Sequence, residues 1–229
     1  MKTFRPYQLA TILIAILVIV GFWPSYYGKV FDGVTDVAPL VHVHSAVFLA
    51  WVAFLFLQAS LVNAGRTDIH RKTGVFGILL GSTLLVVGVM VVLNRVTIGI
   101  ADGQVEKALP FMLIPLTDLL LFAGFFISAV LFRTKPSTHK RLMMLATVAL
   151  LDAPISRMGF LGDPQSPALF MLVWFSPILF LLVVDVVQKR KTPWLYVTGL
   201  LVLVVSGVRV PISHTEAWLS IARLITGSV

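Results

Sequence analysis

Residues 74–93 read GVFGILLGSTLLVVGVMVVL, twenty positions without a charged side chain. A helix of about 20 residues spans the roughly 30 Å of hydrocarbon in a bilayer. The apolar residues run on continuously instead of alternating as they do in a lipid-facing barrel strand, and backbone amides in lipid must bond within their own segment. This stretch therefore predicts a transmembrane helix.

Six further windows have the same character. The chain has 229 residues, of which 58% are hydrophobic and 12% are charged. Apolar runs separated by short polar gaps from end to end leave no room for a separate soluble domain. We therefore predict one all-α membrane domain over residues 1–229, with about seven spans at 7–24, 41–64, 74–93, 109–132, 139–160, 168–187 and 194–211.

Lys and Arg are concentrated on one side of this predicted bundle. Twelve of the 18 lie at the N-terminus and in the second, fourth and sixth gaps between spans. The positive-inside rule places these segments in the cytoplasm and the C-terminus outside. Because orientation explains the net charge of +8, we expect the lipid bilayer as partner and no nucleic acid. The twelve are Lys2, Arg5, Arg66, Arg71, Lys72, Arg133, Lys135, Lys140, Arg141, Lys189, Arg190 and Lys191.

Three segments on the outer side are long enough to form structure of their own. Residues 214–226 mix apolar and polar side chains and predict an amphipathic helix on the outer surface. The outer gaps 25–40 and 97–108 are long enough to cap the bundle.

Two of the five histidines, His70 and His139, lie in matching contexts at the cytoplasmic ends of the third and fifth spans. Residues 67–72 read TDIHRK and residues 137–141 read STHKR, which is a weak internal repeat. Thr67 or Asp68 and Ser137 or Thr138 are good N-cap residues, so each histidine is expected in the first turn of its helix. The helix N-terminus and the neighbouring cations favour a neutral imidazole, the form that binds metal or haem iron.

This inner pair predicts a site for one b-type haem. If spans two to five pack as a four-helix bundle, the two imidazoles reach one depth and face each other. Arg71 and Arg141, together with Arg66 and Lys140, would then neutralise the haem propionates. A histidine at a membrane boundary can equally bind lipid phosphate, and that alternative stays open.

The outer histidines suggest a different site. His42 or His44, His214 and Asp152 could together hold zinc and activate water, as in a zinc-dependent membrane hydrolase. His42 and His44 are two residues apart, so both serve one ion only if the backbone is extended there. The sequence contains no catalytic motif that names a reaction, so no catalytic residues are predicted.

Ionisable residues within spans form a third group. Asp118 and Asp152 are predicted at similar depth in the outer half of the membrane, with Arg157 and Arg209 as counter-charges. Such residues favour a transporter or sensor that binds a solute or proton. Asp185, by contrast, is expected to form an exposed pair with Lys189 at the inner end of span six.

Residues 65–74, GRTDIHRKTG, and 139–147, HKRLMMLAT, resemble the hallmarks of an uncharacterised family of bacterial multi-helix membrane proteins. The resemblance covers roughly spans two to five and implies a multi-pass protein of the bacterial inner (plasma) membrane. It implies no activity.

The paired helices with a histidine at each boundary are also similar in style to the cytochrome b561 group. That analogy implies haem b, electron transport, and a redox partner or another membrane subunit. Haem ligands in that group pair on both sides of the membrane, whereas span four here has no histidine. A single inner haem is therefore expected.

Overall fold

The computed structural model describes residues 5–34, 37–159, 167–189 and 194–228, and within them the chain is helical without strands. The predicted all-α class is confirmed. The helices are α1 (Pro6–Phe31, with a π-helical turn at Trp23–Tyr27), α2 (Pro39–Asn63), α3 (Thr67–Ala101), α4 (Val105–Leu131), α5 (Pro136–Ala149), α6 (Asp152–Ile155), α7 (Pro167–Val187), α8 (Trp194–Ile212, with a 3₁₀ turn at Ser206–Val208) and α9 (Glu216–Thr226).

Six of these helices, α1 to α4, α7 and α8, are long and apolar enough to cross a membrane. Only 22% to 33% of the residues in their most apolar windows are buried inside the protein. Large apolar side chains such as Leu79, Val86 and Val187 are more than half exposed at the outside of the bundle. Lipid is the solvent that such a surface requires, so the chain is a multi-pass integral membrane protein.

Successive helices run antiparallel and pack as neighbours from α2 through α5. We call the end that holds residues 66–72 and 133–141 the inner end, and the opposite end the outer end. The Tyr7 hydroxyl lies 2.8 Å from the Tyr196 hydroxyl, and the Lys140 Nζ lies 4.7 Å from the centre of the Tyr7 ring, so α1 and α8 both start at the inner end. The Trp218 indole donates to the Leu109 carbonyl at 2.9 Å, which places α9 at the outer end.

The fifth predicted span, 139–160, is not one continuous helix, and this part of the prediction is wrong. α5 has 14 residues and is about 21 Å long, too short to cross the membrane alone. A turn at Leu150 and Leu151 separates it from α6, because Pro154 has no N–H to bond the carbonyl of residue 150. Residue 160 lies outside the described residues.

The outer gaps are shorter than predicted. Helix α1 continues to Phe31, and α3 and α4 are joined by a tight turn at residues 102–104 instead of a cap over residues 97–108. Gly103 has φ +72° in that turn, which glycine adopts without strain. The predicted outer amphipathic helix over 214–226 is present as α9, whose N-cap is Thr215.

Close helix contacts are made at glycines. A Cβ at Gly81 of α3 would lie 2.6 Å from the Phe126 ring of α4. A Cβ at Gly21 of α1 would overlap the Pro154 backbone carbonyl, so α1 packs directly against the break that follows α5. Small residues at such contacts let helix backbones approach each other in lipid.

Candidate functional site

His70 and His139 occupy the same position in two helices. Each is the fourth residue of its helix, since α3 begins at Thr67 and α5 at Pro136. The His70 amide donates to Arg66 O at 3.0 Å, and the His139 amide donates to Lys135 O at 2.9 Å. The caps are therefore Arg66 and Lys135, one to three residues before the predicted ones, but both histidines do lie at the first turn.

The structure brings the two imidazoles together at the inner end. Their ring centroids are 6.3 Å apart and their planes are inclined by 77°. The His139 Nδ1–H donates to the Ala129 carbonyl at 2.8 Å. Because a carbonyl only accepts, the proton of a neutral His139 is on Nδ1, which leaves the Nε2 lone pair available to a ligand.

Gln58 of α2 lies beside this pair and was missed in the sequence. Its side chain is 8% exposed, and its Nε2 donates to Thr73 Oγ1 at 2.7 Å. The Gln58 Oε1 and the His70 Nδ1 are both buried, and neither has a hydrogen-bond partner among the described residues. The available signal was an amide within a predicted span, because an amide is costly to bury there without a partner.

The two arginines predicted to bind the haem propionates, Arg71 and Arg141, differ in exposure. Arg71 is exposed at the inner end. Arg141 is 1% exposed, and its Nε donates to Asp185 Oδ2 at 2.9 Å while its Nη1 donates to Ser137 O at 2.7 Å. Arg141 follows His139 by two residues, so the helix carries it to the opposite face, against α7 and α8.

Asp185 is 1% exposed and bound to Arg141, so the predicted exposed pair with Lys189 is wrong. The position near a span end suggested exposure, but the side chain turns into the bundle. The Arg141 guanidinium also lies 5.6 Å from the centre of the Tyr196 ring, and Tyr196 is fully buried. This group anchors α5 to α7 and α8.

The intramembrane charges meet in the outer half of the bundle. Arg209 bonds Asp118 through Nη1 and Asp152 through Nη2, the second bond at 3.1 Å. The three side chains are 7%, 6% and 15% exposed, respectively. Arg157, the other predicted counter-charge, instead donates to the Ala153 carbonyl and lies 5.2 Å from the centre of the Phe22 ring.

Each member of this triad lies at an irregular part of its helix. Asp152 begins α6 directly after the break, and Arg209 follows the 3₁₀ turn of α8. Asp118 follows Pro115, which removes an N–H from the ladder of α4. The Arg209 Nε is buried without a partner among the described residues.

The outer histidines do not form the predicted zinc site. His42 and His44 lie on the continuous helix α2, so they point apart, and the His42 Nδ1 is 2.8 Å from the Tyr26 hydroxyl. His214 is exposed in the turn before α9, and Asp152 is bound to Arg209. Within the described ranges no three His, Cys, Asp or Glu side chains are grouped to hold a metal ion.

Comparison of the chain with protein-family models, with curated proteins and with solved structures gave no match.

Proposed function

We propose that this membrane protein binds one b-type haem through His70 and His139 and exchanges electrons at its inner end. The observation that carries the proposal is the 6.3 Å separation of the two imidazole rings. Imidazoles on opposite sides of a metal, each nitrogen about 2 Å from it, have centroids roughly 6 Å apart, whereas a tetrahedral ion brings them to about 5 Å. The separation supports ligation from opposite sides.

The donor set also favours haem over a bare metal ion. A structural zinc ion takes four protein ligands, and a catalytic one takes three. The inner pair has two imidazoles and, among the described residues, no third acidic or histidine ligand grouped with them. Two axial ligands are enough for haem iron, because the porphyrin occupies the remaining positions.

The surrounding residues have defined tasks in this proposal. The Ala129 carbonyl fixes the tautomer and orientation of His139. Arg71, exposed beside His70, supplies positive charge for a propionate. Haem held by these residues would supply one-electron exchange, and a redox partner or another subunit of the bacterial plasma membrane would dock at this basic end.

The test is the absorption spectrum of purified variants. We expect the wild-type protein to carry a Soret band typical of a b-type haem, and His70→Ala and His139→Ala each to lose it. His42→Ala, which removes an imidazole from the outer end, is the matched control and should keep the spectrum. Full haem retention in both inner variants would overturn the proposal.

A second candidate function is proton or solute translocation at Asp118, Asp152 and Arg209. The observation that favours it is the position of these charges at helix irregularities in the membrane interior, where transporters place their binding sites. Proteoliposomes that contain a pH-sensitive dye test it. Wild-type protein should carry protons after an acid step and Asp152→Asn should not; equal flux in both would remove this candidate.

A further inference from the structure

The two proposed haem ligands differ in the hydrogen bond that their ring nitrogen Nδ1 makes. His139 donates its Nδ1–H to the Ala129 carbonyl, whereas the His70 Nδ1 has no partner among the described residues. We infer that Gln58 is the positioning residue of His70, and that its amide oxygen accepts the His70 Nδ1–H when haem is bound. This inference rests on the proposed haem site.

The orientation of the Gln58 amide is set by Thr73. The Thr73 hydroxyl donates its only proton to the Ile69 carbonyl at 2.9 Å, so it faces Gln58 with a lone pair. The group that lies 2.7 Å from this hydroxyl must therefore be the NH₂ of Gln58. The amide oxygen is left as a buried acceptor without a donor.

The His70 imidazole is the matching donor. Thr73 follows His70 by three residues on α3, so both side chains lie on the helix face that meets α2. The His70 ring is also within hydrogen-bonding reach of the Gln58 main chain, so the imidazole lies directly beside this turn of α2. The acceptor and the ring nitrogen are both buried without a partner among the described residues, on helices that pack together. A rotation of the two side chains toward each other would satisfy both atoms through one hydrogen bond.

This bond has a consequence for the iron. A ligating histidine almost always donates its second ring N–H to an acceptor, which orients the ring and makes it a stronger ligand. Loss of such a partner typically weakens metal binding about 10- to 100-fold. A weaker donor also stabilises ferric iron less, so the midpoint potential should rise.

The test compares haem affinity and midpoint potential in three variants of the full chain. Gln58→Leu removes the acceptor, and we expect about 10- to 100-fold weaker haem binding and a higher potential. Gln58→Glu keeps an acceptor and should retain tight binding with a potential at or below that of the wild type. Gln8→Leu removes a different buried amide, one bonded to Ser60 and Asn63, and should change neither quantity.

The outcomes separate this inference from the haem proposal. Wild-type affinity and potential in Gln58→Leu would overturn the role of Gln58 while the haem site stands. Absence of haem from the wild-type protein would overturn the haem site itself. If Gln58→Leu does not accumulate, Thr73→Val frees the amide to rotate; a raised potential then supports the inference, and an unchanged one overturns it.

Discussion

Arg209 is the residue on which the charge balance of the membrane interior depends. It bonds two carboxylates, and all three side chains are largely buried. Removal of one partner from a buried ion pair leaves an uncompensated charge and costs about 3–5 kcal/mol. We expect Arg209→Leu to lower the free energy of unfolding by about that amount.

Thermal unfolding in detergent micelles measures this effect. Arg223→Leu is the control, because its 3.7 Å pair with Glu216 is exposed and should contribute little. Equal stability of Arg209→Leu and the wild-type protein would contradict a stabilising role for Arg209 between the two carboxyl groups.

The Arg141–Asp185 pair offers a test of a different kind. Each single change, Arg141→Met or Asp185→Leu, removes the buried ion pair between the two side chains and should destabilise the protein, by up to about 3–5 kcal/mol. The double variant breaks the same contact only once, so it should lose much less than the sum of the two single losses. A double-mutant cycle measures this, and strictly additive losses would show that the pair is not coupled.

At the residue scale the sequence predicted the histidine pair but not its surroundings. The two matching motifs, and gaps that alternate between the two sides of the membrane, were enough to predict that His70 and His139 lie at the same end of the bundle. Gln58 was missed and Asp185 was wrongly placed at the surface, because both positions depend on which face of a helix meets its neighbours. A transmembrane helix has apolar residues on the face toward lipid as well as on the face toward protein. The sequence therefore does not show how the helix is rotated about its axis.

At the scale of elements, hydropathy located the long helices well. Six of the seven predicted spans lie inside a long helix or extend at most one residue beyond its end. Helices α3 and α4 extend beyond the apolar windows, because charged residues such as Glu and Lys also favour helix. The break between α5 and α6 was not predicted, because a proline in the sequence can bend a helix without ending it.

The contact between α1 and that break gives an element-scale prediction. A methyl group at Gly21 meets the Pro154 carbonyl, and a backbone atom cannot move aside as a side chain can. We expect Gly21→Ala to destabilise the protein by about 1–3 kcal/mol, measured as a lower melting temperature. Gly124→Ala meets nothing within 4 Å and should be neutral or stabilising. Equal effects of both changes would argue against this packing.

At the level of the whole molecule, contacts among the helices show which helix ends lie together at each end of the bundle. The basic residues predict which of these ends is cytoplasmic. The chain has no cysteine, so single cysteines can report sidedness without background. Asp102 and Lys135 are exposed at opposite ends. In intact spheroplasts an impermeant maleimide should label Asp102→Cys and not Lys135→Cys. Labelling of Lys135→Cys from outside would reverse the predicted orientation.

In the proposed site, two imidazoles 6.3 Å apart hold one haem at the inner end. Titration of purified haem-free protein with haem, followed by absorption spectroscopy, measures whether they do. We predict saturation at one haem per chain with the spectrum of a low-spin, six-coordinate iron. Absence of a saturable spectrum, or a five-coordinate high-spin product, would contradict the claim.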